Sequence, residues 1–393
     1  MKTPPASLKR SLAEGPMNEF PLMEPRQNHI VLFHPHVPTT APQRVAAVLA
    51  TRWIGQGPRV EEFENEFSAR FGGGHPAIAV GSGTDALHLA YILAGLDRGD
   101  EVIAPIFTCT ATNIPLLYMG ANVVFADVQP HTLNIDPKDV RRRITDKTKA
   151  IVCVHYGGLP CDMDALHALV DEYRLTLIED AAHALGATYH GKPIGQLSDF
   201  TVFSFQAIKS ITTGDGGMLL FKDASLVEKA RRLRWFGIDR KAKQGGYWQN
   251  DIYELGYKYQ MTDIAAALGL AALEEFDWIL SHRRSLLKAY EHELRKAPGI
   301  SVIGTGYTDR QHAAWMCTVL AENRESLMAK LRDNGIESSQ VHYRNDRYTI
   351  FGGRQPGYPS MDAVEEKYLV LPLHTRMNLD DVERICTVIR TGW

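Results

Sequence analysis

The sequence predicts an α/β protein in which buried strands alternate with helices and form a mostly parallel sheet. Seven short apolar runs have the length of strands rather than of helices. Helical patterns separate most of them, and this alternation favours parallel pairing through helical crossovers. The predicted strands are Ala77–Val80, Glu101–Ala104, Asn122–Ala126, Ala150–Val154, Thr176–Glu179, Phe200–Phe205 and Met218–Phe221.

Helical patterns precede and follow the predicted strands. A short helix is predicted over Gln43–Arg52, and the next helix has Val60 and Phe67 on one apolar face. Thr262, a residue type that caps helices, is expected to start a long helical run. After a connecting helix that reaches Leu294, the C-terminal part is predicted to contain a strand and two helices, at Met316–Leu320, Arg324–Asn334 and Leu379–Thr391.

At 393 residues the chain is long enough for two domains with separate cores. We divide it into an N-terminal arm over residues 1–36, a large domain over residues 37–275 and a smaller α+β domain over residues 276–393. The arm is expected to be loosely ordered, because it carries charge and proline but no apolar core. It lacks the pattern of a secretory signal.

The composition argues against several classes of function. The net charge of −3 and the lack of a basic recognition helix predict no nucleic-acid partner. No run approaches the ~18 consecutive apolar residues of a membrane helix, so we expect a cytoplasmic protein without a membrane partner. The five cysteines include no CxxC pair, and neither a disulfide framework nor a metal site is predicted.

One acid and one lysine are predicted to meet at an edge of the sheet. Asp180 follows the strand at Thr176–Glu179, and Lys209 follows the strand at Phe200–Phe205. A lysine amine can form a Schiff base with the carbonyl of pyridoxal 5′-phosphate (PLP). A carboxylate can keep the pyridine nitrogen of that cofactor protonated. Taken alone, each residue is better explained as an ordinary strand-end acid or a solvated lysine.

A glycine-containing turn strengthens this pair. The residues from Gly81 to Thr84 follow the strand at Ala77–Val80 and open a helix. Free N–H groups and the helix dipole make such an N-terminus a phosphate site, and glycine lets the backbone approach closely. The turn is not a Walker A loop, and Ala86 stands where a dinucleotide-binding loop has its third glycine. By itself the turn is also compatible with a plain strand–helix connection.

Together these motifs resemble those of the DegT/StrS-type sugar aminotransferases of PLP fold type I. The resemblance runs from about Val37 to the C-terminus. Its six landmarks stand in the order of the family, at residues 53–58, 81–87, 179–183, 204–209, 213–217 and 256–263. It implies an aspartate-aminotransferase-like fold, with a seven-stranded sheet in the large domain and a smaller α+β C-terminal domain.

The resemblance also implies roles for single residues. Lys209 is expected to carry the cofactor and shuttle a proton, Asp180 to hold the pyridine N–H, and His183 to reach the ring or O3′. The other implied cofactor-binding residues are Gly83, Thr84, Asp85, Cys109, Ser204, Gln206, Lys258 and Gln260. His183 can equally be a hydrogen-bonded core residue. A further group can either line a sugar pocket or be structural: His155, Tyr156, His342 and His374.

The sequence departs from the family pattern in several places. Cys109 stands where relatives often place an aromatic ring over the cofactor, and Phe107 would point to the opposite face of an extended segment. Gln206 stands where relatives often have histidine. Lys258 and Gln260 match a segment that in relatives reaches the phosphate of the partner subunit, but both can equally be solvated.

The implied activity is that of a PLP-dependent aminotransferase. It would convert a nucleotide-linked keto-6-deoxyhexose, with the 4-keto form favoured, into an amino sugar for surface polysaccharides such as lipopolysaccharide O-antigen, or for glycosylated metabolites. Glutamate is the implied amino donor, pyridoxamine 5′-phosphate the intermediate, and a homodimer with shared active sites the implied assembly. One alternative is a PLP-dependent nucleotide-sugar dehydratase, which Lys209 disfavours because such relatives carry histidine there. The other is a non-catalytic PLP-binding regulator.

Overall fold

The computed structural model describes residues 29–240, 245–246 and 251–393, so most of the predicted arm lies outside the described residues. Its main sheet consists of the seven strands that the apolar runs predict. They are β1 (Ala77–Val80), β2 (Glu101–Pro105), β3 (Asn122–Ala126), β4 (Thr148–Val154), β5 (Thr176–Asp180), β6 (Phe200–Ser204) and β7 (Gly217–Phe221).

The strand order in this sheet is β1-β7-β6-β5-β4-β2-β3. β7 runs antiparallel to both of its neighbours, β1 and β6, and the remaining four pairs are parallel. Two antiparallel steps restore the original direction, so β1 runs the same way as β6 and β5. The mostly parallel sheet predicted from the sequence is therefore confirmed, and β1, β5 and β6 end at the same edge.

Helices cover both faces of the sheet. They are α1 (Ala41–Leu49), α2 (Pro58–Phe71), α3 (Gly83–Leu93), α4 (Thr110–Met119), α5 (Pro137–Arg143), α6 (Met163–Tyr173) and α7 (Val227–Leu233). Neighbouring strand residues point to opposite faces. Leu177 and Phe203 pack in the core that includes α2, whereas Ile178 and Val202 pack in the core that includes α3. Across the described ranges, no helix combines the length and the apolar character needed to cross a membrane.

A single helix of 32 residues, α8 (Asp263–Leu294), leads into the C-terminal part of the chain. Thr262 caps it as predicted, because its hydroxyl accepts the N–H of Ala265. The helix continues without a break through residue 275, the predicted end of the large domain, and the domain boundaries stay a prediction. Beyond it lie an antiparallel sheet and three helices: β8 (Ile300–Val302), β9 (Cys317–Ala321), β10 (Tyr368–Leu371), α9 (Arg324–Asp333), α10 (Pro359–Val364) and α11 (Leu379–Arg390).

Residues 29–36, the last part of the predicted arm, pack on these C-terminal elements. Ile30 pairs in parallel with Ile336, just after α9. The ring of Phe33 stacks on that of Trp315 with their centroids 5.7 Å apart. This segment therefore reaches the end of β9 that lies next to the predicted site.

Candidate active site

Strand register brings the predicted site residues to one edge of the main sheet. Asp180, the last residue of β5, pairs with Val202 of β6. Ser204, the last residue of β6, pairs with Gly217, and Gly217 pairs with Val80 at the end of β1. The acid, the serine and the turn after Val80 therefore lie at the carboxyl ends of three strands. Ligands of open α/β sheets bind at such ends.

The turn after β1 packs tightly against Ser204. Ser82 caps α3, since its hydroxyl accepts the N–H of Asp85 at 3.0 Å. A Cβ added at Gly83 would lie 2.9 Å from the Cβ of Ser204, and one added at Gly217 would lie 2.4 Å from the carbonyl oxygen of Ser82. The two glycines thus permit an approach that any side chain would block, and we call this arrangement of residues 82–84 and Ser204 the cradle.

The cradle leaves N–H donors for an anion. Gly83 and Thr84 are the first two residues of α3, where backbone N–H groups have no acceptor within the helix. Asp85 instead donates its N–H to the Ser82 hydroxyl, and burial raises the pKa of its carboxyl to about 6. Gly83, Thr84 and Ser204 therefore fit a phosphate, and the cofactor role of Asp85 stays a prediction.

Asp180 is buried, with 4% of its surface exposed. Its Oδ2 accepts a hydrogen bond from the Thr112 hydroxyl at 2.7 Å, and its Oδ1 accepts one from the N–H of Ala182 at 3.1 Å. Burial raises the pKa of this carboxyl, and the Thr112 and Ala182 hydrogen bonds and the charge of Lys209 oppose the rise. A carboxylate in this setting gains from a charged partner, because an unpaired buried charge is costly.

Lys209 lies in the same site. Burial lowers the pKa of its amine from the ordinary 10.5 to about 8, and the charges of Asp180 and Cys109 act in the opposite direction. Such an amine is half neutral near pH 8, as a nucleophile or general base requires. Its Nζ lies 3.8 Å from the centroid of the Trp315 ring.

Three stacked rings stand beside Lys209, and we call Trp315, His183 and His342 the ring cluster. The centroid of His183 lies 4.0 Å from that of Trp315 and 5.2 Å from that of His342. Burial lowers the pKa of both histidines, so both are neutral near pH 7. The Nδ1 of His183 is buried without a hydrogen-bond partner in the described part of the chain, and is available to a ligand.

His342 has a left-handed backbone, with a φ of 71°. Residues other than glycine rarely adopt this backbone conformation, and such strain tends to occur at functional sites. Its carbonyl accepts the Tyr368 hydroxyl at 3.0 Å, and its Nε2 lies 3.3 Å from that of His183. Of the two readings that the sequence left open for His342, the structure therefore favours a place in the site.

The aromatic ring of the site comes from a position that sequence reasoning missed. Cys109 lies half-buried at the residue before α4, near Lys209. Phe107 packs against Tyr156 with their centroids 5.0 Å apart, in a buried cluster that also includes Trp315. The aromatic ring beside Lys209 is that of Trp315. Because it directly precedes a strand of the C-terminal part, its local sequence does not distinguish it from a core residue.

Thr112 is a second residue that sequence reasoning missed. It lies in the first turn of α4, and its hydroxyl also lies 2.9 Å from that of Thr108. The family resemblance implies only an aromatic side chain in this segment. A hydroxyl placed one turn after a strand end is the signal that could have identified it.

Lys258 and Gln260 lie in a segment that packs beside Val80 and Gly81, where the phosphate turn begins. The Nζ of Lys258 is 3.8 Å from the centroid of the Trp235 ring. Gln260 pairs with Val80, and the carbonyl of Tyr259 accepts the N–H of Gly81 at 2.8 Å. Within one subunit this segment therefore borders the turn, and its contact with a partner's phosphate stays a prediction.

Gln206 is exposed, and its Oε1 accepts the N–H of Ile208 at 3.1 Å. A place beside Ser204 on the same face of the strand would require β6 to continue past that residue, but β6 ends at Ser204. The side chain instead caps the turn that leads to Lys209, and its contact with the cofactor stays a prediction.

The other candidate sugar-pocket residues divide between structure and site. His155 is fully buried and bonds to Glu179 at 2.8 Å, and His374 bonds to the carbonyl of Val31 at 3.1 Å. Both contacts hold elements together. Tyr156 packs against the ring cluster, with its ring centroid 6.2 Å from that of His183.

These residues fit PLP. The cradle offers backbone N–H groups and the Ser204 hydroxyl, and its glycines leave no side chain in the way. Such a site suits a phosphate. Asp180 offers a buried carboxylate for a protonated ring nitrogen, and Lys209 offers an amine with a lowered pKa. The unpaired Nδ1 of His183 lies in the same site.

Comparison with known proteins agrees with this fit. The DegT/DnrJ/EryC1/StrS aminotransferase family matches residues 37–390. The spore coat polysaccharide biosynthesis protein SpsC of Bacillus subtilis (strain 168) is 35% identical over 385 residues, which cover 94% of this chain and 98% of that protein. The UDP-4-amino-4-deoxy-L-arabinose–oxoglutarate aminotransferase of Shewanella sediminis (strain HAW-EB3) is 34% identical, with 88% of this chain and 93% of that protein covered.

Solved structures give the same result. AtS13 from Actinomadura melliaura superimposes with a TM-score of 0.89 at 37% identity, and covers 94% of this chain and 100% of its own. The sugar aminotransferase Spr1654 from Streptococcus pneumoniae, solved in PLP and pyridoxamine phosphate forms, superimposes with TM-scores of 0.87 and 0.86 at 29% and 30% identity. Both forms cover 92% of this chain and 98% of their own. The protein therefore belongs to the DegT/DnrJ/EryC1/StrS aminotransferase family and is a PLP-dependent sugar aminotransferase.

Proposed function

We propose that the protein transfers the amino group of glutamate to the ketone of a nucleotide-linked 4-keto-6-deoxyhexose, with PLP as cofactor. The observation that carries the chemistry is the meeting of Asp180, Lys209 and the cradle at one sheet edge. The relative named for UDP-4-amino-4-deoxy-L-arabinose and oxoglutarate supports a nucleotide-linked sugar with its amine at C4, and glutamate as the donor. Oxoglutarate is what glutamate becomes when it gives up its amino group.

Each residue of the site has a separate role in this reaction. PLP, when bound, supplies a carbonyl that accepts amines and a ring that withdraws electrons. The N–H groups of Gly83 and Thr84 would bind its phosphate together with the Ser204 hydroxyl, and Asp180 would keep its ring nitrogen protonated. Lys209 would carry protons in both halves of the reaction: it would take one from the α-carbon of the donor, and would move one in the opposite direction on the sugar.

The proposal includes a homodimer with active sites at the subunit boundary. Large apolar side chains are exposed just before the Lys258–Gln260 segment, with Tyr253 86% and Leu255 78% exposed. Phe236 is also exposed. Its N–H donates a hydrogen bond to the carbonyl of Tyr257, which places it next to this segment. Clustered aromatic and apolar residues of this kind are typical of protein interfaces. A two-fold axis would bury the same patch twice.

The proposal is tested by supplying nucleotide-linked 4-keto-6-deoxy and 3-keto-6-deoxy sugars with glutamate and PLP. We expect oxoglutarate to form beyond one equivalent per active site only with the 4-keto sugar, and NMR to locate the new amine at C4. Lys209→Ala should reduce turnover to background, whereas Lys192→Ala, at an exposed hairpin lysine, should not.

Other outcomes would contradict parts of the proposal. Amination at C3 would replace the 4-keto sugar by a 3-keto sugar as the substrate, but would leave the assignment as an aminotransferase unchanged. Loss of the sugar hydroxyl without consumption of glutamate would identify a dehydratase. PLP binding without turnover of any keto-sugar would favour a regulator.

A further inference from the structure

We propose that Trp315 is the positioning residue of this enzyme, and that it holds the Lys209 amine and the His183 ring in place for the reaction. This inference rests on the proposed function of Lys209. The side chain of Trp315 contacts two of the three predicted catalytic residues. The Lys209 Nζ lies 3.8 Å from the ring centroid, and the His183 ring stacks on it at 4.0 Å with 23° between the planes.

Trp315 also fixes the backbone next to the lysine. Its indole N–H donates a hydrogen bond to the carbonyl of Ile208, the residue before Lys209, at 2.9 Å. One aromatic residue therefore contacts both the backbone just before Lys209 and the amine at the end of its side chain. An amine held against an aromatic face has fewer conformations to search, and a misplacement of about 1 Å can cost a hundredfold in rate.

The tryptophan can act in this way because its own backbone is rigid. Its N–H donates to the carbonyl of Gly157 at 3.1 Å. The guanidinium of Arg283, buried on α8, donates to the carbonyls of Ala314 and Trp315 at 3.0 and 2.8 Å. Ala314 has a left-handed φ of 54°, so these bonds maintain a conformation that the chain does not favour.

The ring also affects the charge of the lysine. An aromatic face attracts an ammonium group, and the attraction is larger where water is excluded. Burial acts in the opposite direction and lowers the pKa of the amine. Removing the ring while the site stays buried should therefore lower the pKa further, whereas a defect confined to packing has no reason to shift it in that direction.

Two variants separate the contacts. Trp315→Phe keeps an aromatic face and removes the indole N–H bond to Ile208. Trp315→Leu removes both. Trp393→Phe is the matched control, because the indole of Trp393 also donates to a backbone carbonyl, that of Glu322 at 2.7 Å, which is not adjacent to Lys209 in the chain.

The first measurement uses the cofactor-free protein. The rate at which an amine-specific reagent labels Lys209 is followed against pH by mass spectrometry. We expect the midpoint to fall in Trp315→Leu and to stay near the wild-type value in Trp315→Phe and Trp393→Phe. A midpoint in Trp315→Leu at or above the wild-type value would overturn the proposal.

The second measurement uses the PLP-loaded enzyme with glutamate. We expect kcat to fall about tenfold in Trp315→Phe and about a hundredfold in Trp315→Leu, while KM for glutamate changes little, because the effect is on lysine geometry. Equal kcat values in wild type and Trp315→Phe would contradict the role of the indole bond. Because Lys209→Ala tests the lysine itself, a failure of the Trp315 inference is distinguishable from a failure of the proposed function.

Discussion

Asp180 and Lys209 are coupled, because each charge shifts the pKa of the other. Burial lowers the pKa of the lysine amine to about 8, and the Asp180 charge opposes that shift. Asp180→Asn removes the opposition, so the pKa of Lys209 should fall below about 8. In the cofactor-free protein, amine labelling of Lys209 would then reach its half-maximal rate at a lower pH, since only the neutral amine reacts. An unchanged midpoint would show that the two groups are not coupled.

Asp180→Asn should also weaken catalysis, since the ring nitrogen of the cofactor loses the carboxylate that keeps it protonated. We expect a loss of about a thousandfold in turnover with PLP still bound, measured at saturating PLP. Near-normal turnover would assign the ring nitrogen to another partner.

Thr112 supports Asp180 through one hydrogen bond, at 2.7 Å from its hydroxyl to Oδ2. Thr112→Val keeps the shape and removes the donor, so the pKa of Asp180 should rise. Because Asp180 acts as a carboxylate, the acid limb of the rate–pH profile should then move to higher pH, and the rate should fall about tenfold. Thr145→Val is the control, because its hydroxyl bonds a carboxylate at the other end of the sheet. Equal profiles for Thr112→Val and wild type would exclude this role.

At the scale of elements, the cradle depends on how closely the turn before α3 approaches β7. A Cβ at Gly217 would lie 2.4 Å from the carbonyl oxygen of Ser82, which is backbone and cannot rotate away. Gly217→Ala should therefore displace the turn and weaken PLP binding about tenfold or more, as measured by equilibrium titration. It should also lower the melting temperature.

Gly55→Ala provides the control for this prediction, since a Cβ there would meet no atom within 4 Å. It should leave both PLP affinity and melting temperature unchanged. Wild-type PLP affinity in Gly217→Ala would show that the close approach is not needed for phosphate binding.

The sequence could predict those parts of the site that follow strands. Asp180 and Ser204 end apolar runs, and the turn at residues 81–84 lies between a strand and a helix, so strand direction alone brings them together. Trp315, Thr112 and His342 reach the site through tertiary packing instead. No local pattern marks Trp315 or His342, because their neighbours in the site are distant in the chain.

At the scale of the whole molecule, α8 joins the two parts of the chain. The alanine-rich run after Thr262 and the connecting helix up to Leu294 form one helix, which the sequence suggested only as separate runs. Arg283 on this helix holds the backbone at Trp315, and Phe33 of the N-terminal segment stacks on the same ring. Elements from three regions of the chain thus converge on the ring beside Lys209.

The shared-site dimer makes a prediction about mixed subunits. Lys209→Ala subunits and subunits changed at both Lys258 and Gln260 should each be inactive alone. If each site combines Lys209 of one subunit with this segment of the other, one site in a mixed dimer is intact, and part of the activity should return after subunit exchange. Proven exchange without any recovery would show that the segment serves only its own subunit.

The central claim is that Lys209 is the amine that carries the cofactor. Borohydride reduction of the PLP-loaded enzyme fixes the cofactor to the lysine that holds it, and peptide mass spectrometry identifies that residue. We predict that the label lies on Lys209 and disappears when glutamate is added before reduction, because the amine is then released. A label on any other lysine, or one that glutamate does not remove, would contradict the account.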